Sequence, residues 1–172
     1  FLSDVFWGDL DVLLLDLPPG TGDVTISVAQ LLPNAEILVV TTPQAAAAEV
    51  AERTGLIAAQ THQKVLGVIE NMSYLLQDDG SRLEIFGSGG GQAVSDSLTQ
   101  VLGYQVPLMA QLPLDIRLRE GSDLGVPVTV SDHGRPPADS PAALELARVA
   151  SSIGHRARGL ARRPLGVSPV NT

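Results

Sequence analysis

The sequence predicts an α/β fold: a doubly wound, mostly parallel sheet with flanking helices. Short apolar runs of strand length alternate along the chain with longer segments whose apolar residues have helical spacing. The short runs contain few polar residues, which is typical of strands buried on both faces of a parallel sheet. The chain has 172 residues, of which 44% are apolar, and this is enough for one hydrophobic core.

The first apolar run, Val12–Leu17, is predicted to be a central strand. It contains a single acid, Asp16, and is closed by the stiff segment Pro18-Pro19-Gly20. The run is too short for a solitary helix. Burying a carboxylate is costly unless a cation or hydrogen-bond donors compensate. Asp16 is therefore expected to point into a site at the carboxyl edge of the sheet, where open α/β folds bind ligands.

The loop after this strand is rich in glycine. The backbone N–H groups of Gly20, Thr21 and Gly22 are available there to face a phosphate group. Asp23 follows at the predicted start of a helix, where an acid interacts favourably with the helix dipole. A catalytic role for Asp23 is the alternative, and the interaction with the helix is favoured.

A helix is predicted after this loop, followed by a second strand, a long helix and a third strand. The second strand ends in Thr42-Pro43, where Thr42 is expected to be the N-cap and Pro43 the first helical residue. The long helix is rich in alanine, which has the highest helix propensity, and one of its faces suits packing on the sheet. In chain order these elements are a helix over 25–32, a strand over 37–41, a helix over 44–62 and a strand over 64–71.

The pattern is weaker between residues 71 and 91. Residues 77–81 form a predicted polar turn, and Leu83–Phe86 is expected to be one arm of a small hairpin. The glycine run 87–91 has the composition of a phosphate loop, but it contains no lysine and follows no buried strand. A connection into a helix over 92–102 is therefore favoured.

The last segment of the chain is predicted to complete the sheet and add a final helix. This helix is expected to start at Ser140-Pro141, because proline suits the first helical position and the apolar residues up to Ile153 form one stripe. Residues 157–172 are predicted to be a disordered, Arg-rich tail, which leaves 1–156 as one domain. The other elements predicted here are a strand over 104–112, a helical turn over 116–120 and a short edge segment over 126–130.

Composition and charge exclude several classes of function. The formal net charge is −8, and residues 1–155 contain seven basic against 19 acidic side chains, which disfavours nucleic acid as a partner. Aromatic residues make up 3% of the chain and offer few surfaces for stacking bases. The chain contains no cysteine, so it has no thiolate ligand or nucleophile of its own. No long apolar segment or signal peptide is visible, so a cytoplasmic protein with no membrane partner is expected.

The segment Asp16–Asp23, with the sequence Asp-Leu-Pro-Pro-Gly-Thr-Gly-Asp, resembles the Walker B and switch II segment of the Mrp family. These proteins are P-loop ATPases of the MinD/ParA superfamily that are implicated in carrying iron–sulfur clusters. The resemblance implies that Asp16 is the Walker B acid, a catalytic residue that binds Mg²⁺ through water. It also implies that Gly20, Thr21 and Gly22 form the loop that senses the γ-phosphate of ATP.

Two further segments match the family pattern. Glu70-Asn71-Met72-Ser73 is similar to a segment whose asparagine contacts the adenine base in related ATPases, and an amide offers the donor and acceptor that an adenine edge requires. The alternative for Asn71 is that it turns the chain after a strand. Pro113-Leu114-Asp115 also matches, and the resemblance implies that Pro113 and Asp115 lie near the nucleotide.

The chain departs from the family pattern at two places. A Walker A loop needs a glycine-rich turn followed by lysine, but the only lysine, Lys64, lies between a predicted helix and a predicted strand. The resemblance implies that this loop, with the first strand and helix, lies upstream, and that residues 1–156 are the carboxyl-terminal part of the ATPase domain. Many members also carry a Cys-x-x-Cys pair between positions equivalent to Ser73 and Ile85, where two subunits hold a bridging cluster. Here the interval offers only hard oxygen ligands, expected to form a solvated turn: Asp78, Asp79 and Glu84.

The resemblance implies a homodimeric iron–sulfur cluster carrier that binds and hydrolyses ATP with Mg²⁺, with apo-proteins or assembly factors as partners. One alternative is a non-enzymatic interaction module that has kept the sheet without the nucleotide chemistry. Another is a partitioning or positioning ATPase, which would need a basic surface or a basic amphipathic helix. The acidic body of the chain disfavours this last alternative.

Overall fold

The computed structural model describes residues 4–18, 22–130 and 140–160. Helices and strands alternate in it, as the sequence predicts. In chain order the elements are α1 (Asp23–Leu31), β1 (Glu36–Thr41), α2 (Ala45–Thr61), β2 (Lys64–Glu70), β3 (Leu75–Leu76), β4 (Arg82–Leu83), α3 (Gly90–Leu102), β5 (Leu108–Gln111), α4 (Ile116–Leu124) and α5 (Pro141–Leu160).

In the described part of the chain, the main sheet has three parallel strands in the order β1-β2-β5. Its register brings the last residues of these strands side by side, since Thr41 pairs with Glu70 and Glu70 pairs with Gln111. All three strands therefore end at one edge of the sheet. The loops that follow them begin at the same place.

Helices cover both faces of the sheet, which confirms the predicted doubly wound arrangement. On one face, α2 and α3 pack on β1 and β2, and on the other face α5 packs on β2 and β5. The first face buries Val39, Ala58, Val65, Val68, Val94, Leu98 and Val106. The second buries Ile69, Ala110, Leu112 and Val149. None of the helices among the described residues is both long and apolar enough to cross a membrane.

The predicted central strand over Val12–Leu17 is wrong. Residues 4–18 contain no strand, and the side chain of Leu14 is 75% exposed. A strand buried on both faces needs a hydrogen-bonded neighbour and helices above and below it. Within the described part of the chain, β1 pairs only with β2, and residues 12–17 join neither the sheet nor its core.

Other boundaries differ from the prediction for local reasons. The N-cap of α2 is Gln44 rather than Thr42, because the chain at Thr42 and Pro43 packs against the start of α3 before it turns into the helix. Strand β5 begins only after Pro107, which cannot donate to a sheet ladder. The segment over 126–130 forms a turn instead of an edge strand, closed by a hydrogen bond from the N–H of Val130 to the carbonyl of Pro127.

The small hairpin is confirmed. Strands β3 and β4 pair antiparallel across a polar turn, although the second arm is Arg82–Leu83 rather than the predicted 83–86. In the turn, the N–H of Ser81 donates to Oδ1 of Asp79 over 2.8 Å.

The final helix starts at Pro141, as predicted, and extends further than expected. It ends at Leu160 and so includes the first four residues of the predicted tail. Residues 161–172 lie outside the described residues. The division of the chain into a domain and a tail remains a prediction.

Gly90, the first residue of α3, is required by a close approach of two backbones. A Cβ atom at this position would lie 2.5 Å from the carbonyl oxygen of Pro43 and 2.8 Å from that of Thr42. A backbone carbonyl cannot move aside as the end of a side chain can. In α5, by contrast, a Cβ at Gly154 would meet nothing within 4 Å.

We expect Gly90→Ala to lower the free energy of unfolding by about 1 to 3 kcal/mol, the usual cost of overpacking. The matched variant Gly154→Ala should raise it by about 0.5 to 1 kcal/mol, because alanine is favoured over glycine inside a helix. Urea unfolding followed by circular dichroism measures both. Equal stabilisation by the two substitutions would show that α3 does not pack on the loop after β1.

Candidate functional site

Three of the residues predicted to bind a nucleotide lie in loops at the carboxyl edge of the sheet. Asn71 directly follows β2, and Pro113 and Asp115 follow β5. Since β2 and β5 are neighbours and end in register, the structure brings these two loops together. This edge is where ligands bind in open α/β folds.

Asn71 is held by its own backbone and by the turn that follows it. Its N–H donates to the carbonyl of Thr41 over 2.8 Å, and its Oδ1 accepts from the N–H of Met72 over 2.9 Å. Met72 has a φ of 56°, an uncommon conformation for a residue other than glycine. The Nδ2 group of Asn71 has no hydrogen-bond partner among the described residues. Asn71 therefore turns the chain and also keeps donors for a ligand.

Asp115 connects two helices. Its Oδ1 accepts from the N–H of Arg117 over 2.9 Å, which caps α4. Its Oδ2 accepts from the hydroxyl of Ser140 over 2.6 Å and from the N–H of Ala142 over 3.3 Å, at the start of α5. Both oxygens accept hydrogen bonds, so this side chain holds the starts of α4 and α5 together.

These contacts change the pKa of Asp115. Partial burial is the largest single influence and raises the pKa. The hydrogen bonds from Ser140 and from the backbone N–H groups of Arg117, Ala142 and Leu118 together outweigh it, so the pKa lies below its ordinary value.

Pro113 is fully buried. The residues on either side of it are both fixed by backbone hydrogen bonds, from the N–H of Leu112 to the carbonyl of Glu70 and from the N–H of Leu114 to the carbonyl of Tyr74, each 2.7 Å long. The loop after β5 thus runs between Glu70 and Tyr74. Pro113 supports this loop from inside.

The segment that carries Asp16 is placed differently from the prediction. Asp16 is exposed, lies outside any strand and forms no hydrogen bond or ion pair with another described residue. Gly20 and Thr21 lie outside the described residues. Gly22 is the N-cap of α1, and Asp23 is the first residue of that helix, the position favoured by its dipole.

The described residues fit the end of a nucleotide site that binds the base, but not the end that binds the phosphates and Mg²⁺. Lys64 is the first residue of β2 and Glu70 the last, so the lysine lies about 20 Å from the carboxyl edge at the usual rise of a strand. In this structure Asp16 is exposed and lies outside the sheet, so it is not held at that edge as a metal ligand would be. The loops after β2 and β5 offer the amide of Asn71, which fits a base. No group of three or more His, Cys, Asp or Glu side chains that could hold a metal ion occurs among the described residues.

Sequence reasoning missed Glu70, the last residue of β2. Its side chain is only 1% exposed, and its carboxylate accepts three hydrogen bonds at the carboxyl edge. The signal was present, because Glu70 is an acid that directly follows the apolar run 65–69 at the end of a strand. The same reasoning that selected Asp16 applies to Glu70.

The chain matches the model of a known protein family over residues 1–153. The model is that of ParA-type proteins, described as NUBPL iron-transfer P-loop NTPases. The chain belongs to this family. Its three-stranded parallel sheet with helices on both faces is the portion of the P-loop NTPase fold that this structure shows.

Proteins named "iron-sulfur cluster carrier protein" are similar to this chain over almost the whole length of the chain. The one from Mycobacterium leprae is 59% identical over 169 residues, and the one from Mycobacterium tuberculosis is 57% identical over 170 residues. These matches cover 98% and 99% of this chain but 43% of each relative. The chain therefore spans less than half the length of these relatives.

A solved structure shares the fold. It is a nucleotide-binding protein from Archaeoglobus fulgidus in complex with ADP. The TM-score is 0.56 and the sequence identity 38%, over 69% of this chain and 47% of that protein.

We expect Asp115→Ala to lower the free energy of unfolding by about 1 to 2 kcal/mol, because it removes a helix N-cap and a bond to a second helix. The folded-state pKa lies below the ordinary value of 3.8. The carboxylate therefore contributes stability that is fully present above pH 3.8 and is lost as the pH falls through the folded-state pKa. The difference from the native protein should shrink in that acidic range.

Urea unfolding at several pH values measures this dependence. Asp123→Ala is the matched control, because Asp123 lies on the same helix and, among the described residues, its side chain forms only an exposed ion pair with Arg119. We expect it to change stability by less than about 0.5 kcal/mol. A cost for Asp115→Ala that stays constant down to the most acidic pH would contradict the assignment.

Proposed function

We propose that this chain is the carboxyl-terminal part of a cytoplasmic iron–sulfur cluster carrier that binds and hydrolyses ATP. The observation that supports this most strongly is the identity of 57–59%, over nearly the whole chain, with proteins named as iron–sulfur cluster carriers. The ADP complex of the Archaeoglobus relative supports nucleotide binding at this fold. The remainder of the protein then supplies what this chain lacks, above all the lysine of the phosphate loop.

In this proposal the carboxyl edge binds the base of the nucleotide. The amide of Asn71 presents a fixed oxygen and two N–H donors, a combination that suits the edge of adenine. Pro113 and Asp115 shape the neighbouring loop and lie next to the nucleotide. When bound, ATP with Mg²⁺ supplies the phosphoanhydride bond whose hydrolysis drives the carrier.

Asp16 is proposed as the acid that binds Mg²⁺ through water. The segment that contains Asp16 is apolar enough for a buried strand. Because this segment is exposed in the structure, it must join the sheet for Asp16 to take this role. The phosphate-facing loop is assigned to Gly20, Thr21 and Gly22.

The iron–sulfur cluster is the cargo of the proposed carrier. No thiolate of this chain can bind it, because the chain contains no cysteine. The exposed Asp79 of the hairpin turn accepts a hydrogen bond from Ser81, and its hard oxygens suit iron–sulfur clusters poorly. We propose that cargo is passed between a homodimer of the full protein and apo-proteins or assembly factors.

An interaction module without nucleotide chemistry is the second candidate. It is favoured by the exposed position of Asp16 and by the location of the only lysine at the far end of β2. The two candidates differ in one measurable property, since only the carrier binds ATP in its full-length form.

In the full-length protein, we expect Asp16→Asn to lower the rate of ATP hydrolysis at least about 100-fold, because catalysis of phosphoryl transfer depends on placing the metal ion. The fold should be retained, since Asp16 is exposed and bonded to no other described residue. Steady-state phosphate release at saturating ATP measures the rate.

Asp11→Asn is the matched control, because this neighbouring acid is also exposed. Its rate should equal that of the native protein. Unchanged hydrolysis by Asp16→Asn would remove Asp16 from the site. Absence of ATP binding by the native full-length protein would favour the interaction module.

A further inference from the structure

We propose that Glu70 is a positioning residue for base recognition, which rests on the function proposed above. Its buried carboxylate holds the loop that contains Asn71, the end of β5 and the start of α3 in one arrangement. In that arrangement the amide of Asn71 faces the base.

The carboxylate of Glu70 is buried. The side chain of Glu70 is 1% exposed and forms no ion pair with a described lysine or arginine. A carboxylate in such a place is strongly destabilising unless hydrogen bonds satisfy its oxygens. All the donors that surround it must therefore remain in position, and each donor belongs to a different segment.

The carboxylate of Glu70 contacts the start of α3. The N–H of Gly91 donates to Oε2 of Glu70 over 2.6 Å, at the N-terminal end of the helix where negative charge is favoured. A Cβ at residue 91 would lie 2.7 Å from the Cβ of Glu70, so only glycine allows this approach. The adjacent Gly90 packs on the loop after β1, and the carboxylate thus fixes that loop indirectly.

The same carboxylate contacts the loop that contains Asn71. The hydroxyl of Ser73 lies 2.8 Å from Oε1 of Glu70 and 2.9 Å from its backbone carbonyl oxygen. This closes the turn between residues 70 and 73 from inside. The turn contains the left-handed Met72, whose N–H orients the amide of Asn71.

The carboxylate of Glu70 also contacts the end of β5. The Nε2 group of Gln111 donates to Oε1 of Glu70 over 2.9 Å. Gln111 is the last residue of β5, and the loop with Pro113 and Asp115 follows it directly. One carboxylate therefore fixes both loops assigned to the base.

The arrangement predicts a preference between bases. The oxygen and the N–H group of an asparagine side chain match the N–H donor and the ring nitrogen acceptor of adenine. Guanine presents two acceptors on the corresponding edge, so an amide held in one orientation selects against it. A substitution that loosens this amide should lower the preference for adenine without changing contacts to phosphates.

The experiment compares dissociation constants of the full-length protein for ATP, GTP and inorganic tripolyphosphate, by competition with a fluorescent nucleotide. Asn71→Ala should lower the preference for ATP over GTP about tenfold, the discrimination that one bidentate amide provides. Glu70→Gln replaces one of the two acceptor oxygens with an N–H₂ group that faces a donor, so it should lower the preference at least about threefold through loss of at least one hydrogen bond. Tripolyphosphate binding should stay unchanged in both variants.

Glu84→Gln is the matched control, because Glu84 is exposed and its carboxylate has no hydrogen-bond partner among the described residues. It should leave all three dissociation constants unchanged. If Glu70→Gln fails to fold, Ser73→Ala and Gln111→Ala each remove one donor and should each lower the preference for ATP.

The outcomes separate the two levels of the proposal. If Asn71→Ala abolishes the preference and the variants around Glu70 retain it, the role of Glu70 is wrong and the nucleotide function stands. Equal losses of ATP and tripolyphosphate binding in Glu70→Gln would show a general structural role and overturn the inference. If the native protein binds no nucleotide, both the proposed function and the role of Glu70 are wrong.

Discussion

The buried carboxylate of Glu70 is the constraint on which the carboxyl edge of this molecule depends. It lies out of contact with water, and its hydrogen-bond donors come from the turn after β2, from β5 and from α3. Loss of one donor would leave a buried charge partly unsatisfied. The free-energy cost of this exceeds the stabilisation that an ordinary hydrogen bond provides. The segments that meet there are therefore held together by this one side chain.

Asp115 has a similar role in the loop after β5. It joins the starts of α4 and α5, and its two oxygens are already bonded to these helices. The acids at this edge are thus used to hold the structure, whereas the amide of Asn71 retains donors for a ligand. The contacts of Asp115 are therefore explained by the packing of the two helices.

The sequence was sufficient to predict the elements whose pattern is local. Apolar runs identified β1 and β2, and the alanine-rich segment identified α2. Val12–Leu17 has the same apolar pattern, but whether a strand forms depends on neighbours that a pattern does not contain. The N-cap of α2 was mispredicted because Thr42 packs on α3, a contact between distant segments. Of the candidate site, Asn71 was placed through a resemblance. Glu70 ends an apolar run and could have been selected as Asp16 was, but the sequence does not show the partners that satisfy its carboxylate, one of which lies 41 residues away.

The chain belongs to a family of iron-transfer P-loop NTPases, and the carboxyl edge of its sheet is the surface that we propose binds the base. Hydrogen–deuterium exchange of the full-length protein, with and without ATP and Mg²⁺, tests this most directly. We predict slower exchange in peptides that contain Asn71–Ser73 and Leu112–Asp115, and unchanged exchange in the hairpin turn over 77–81. Unchanged exchange at both loops in protein saturated with nucleotide would contradict the assignment of this edge to the base.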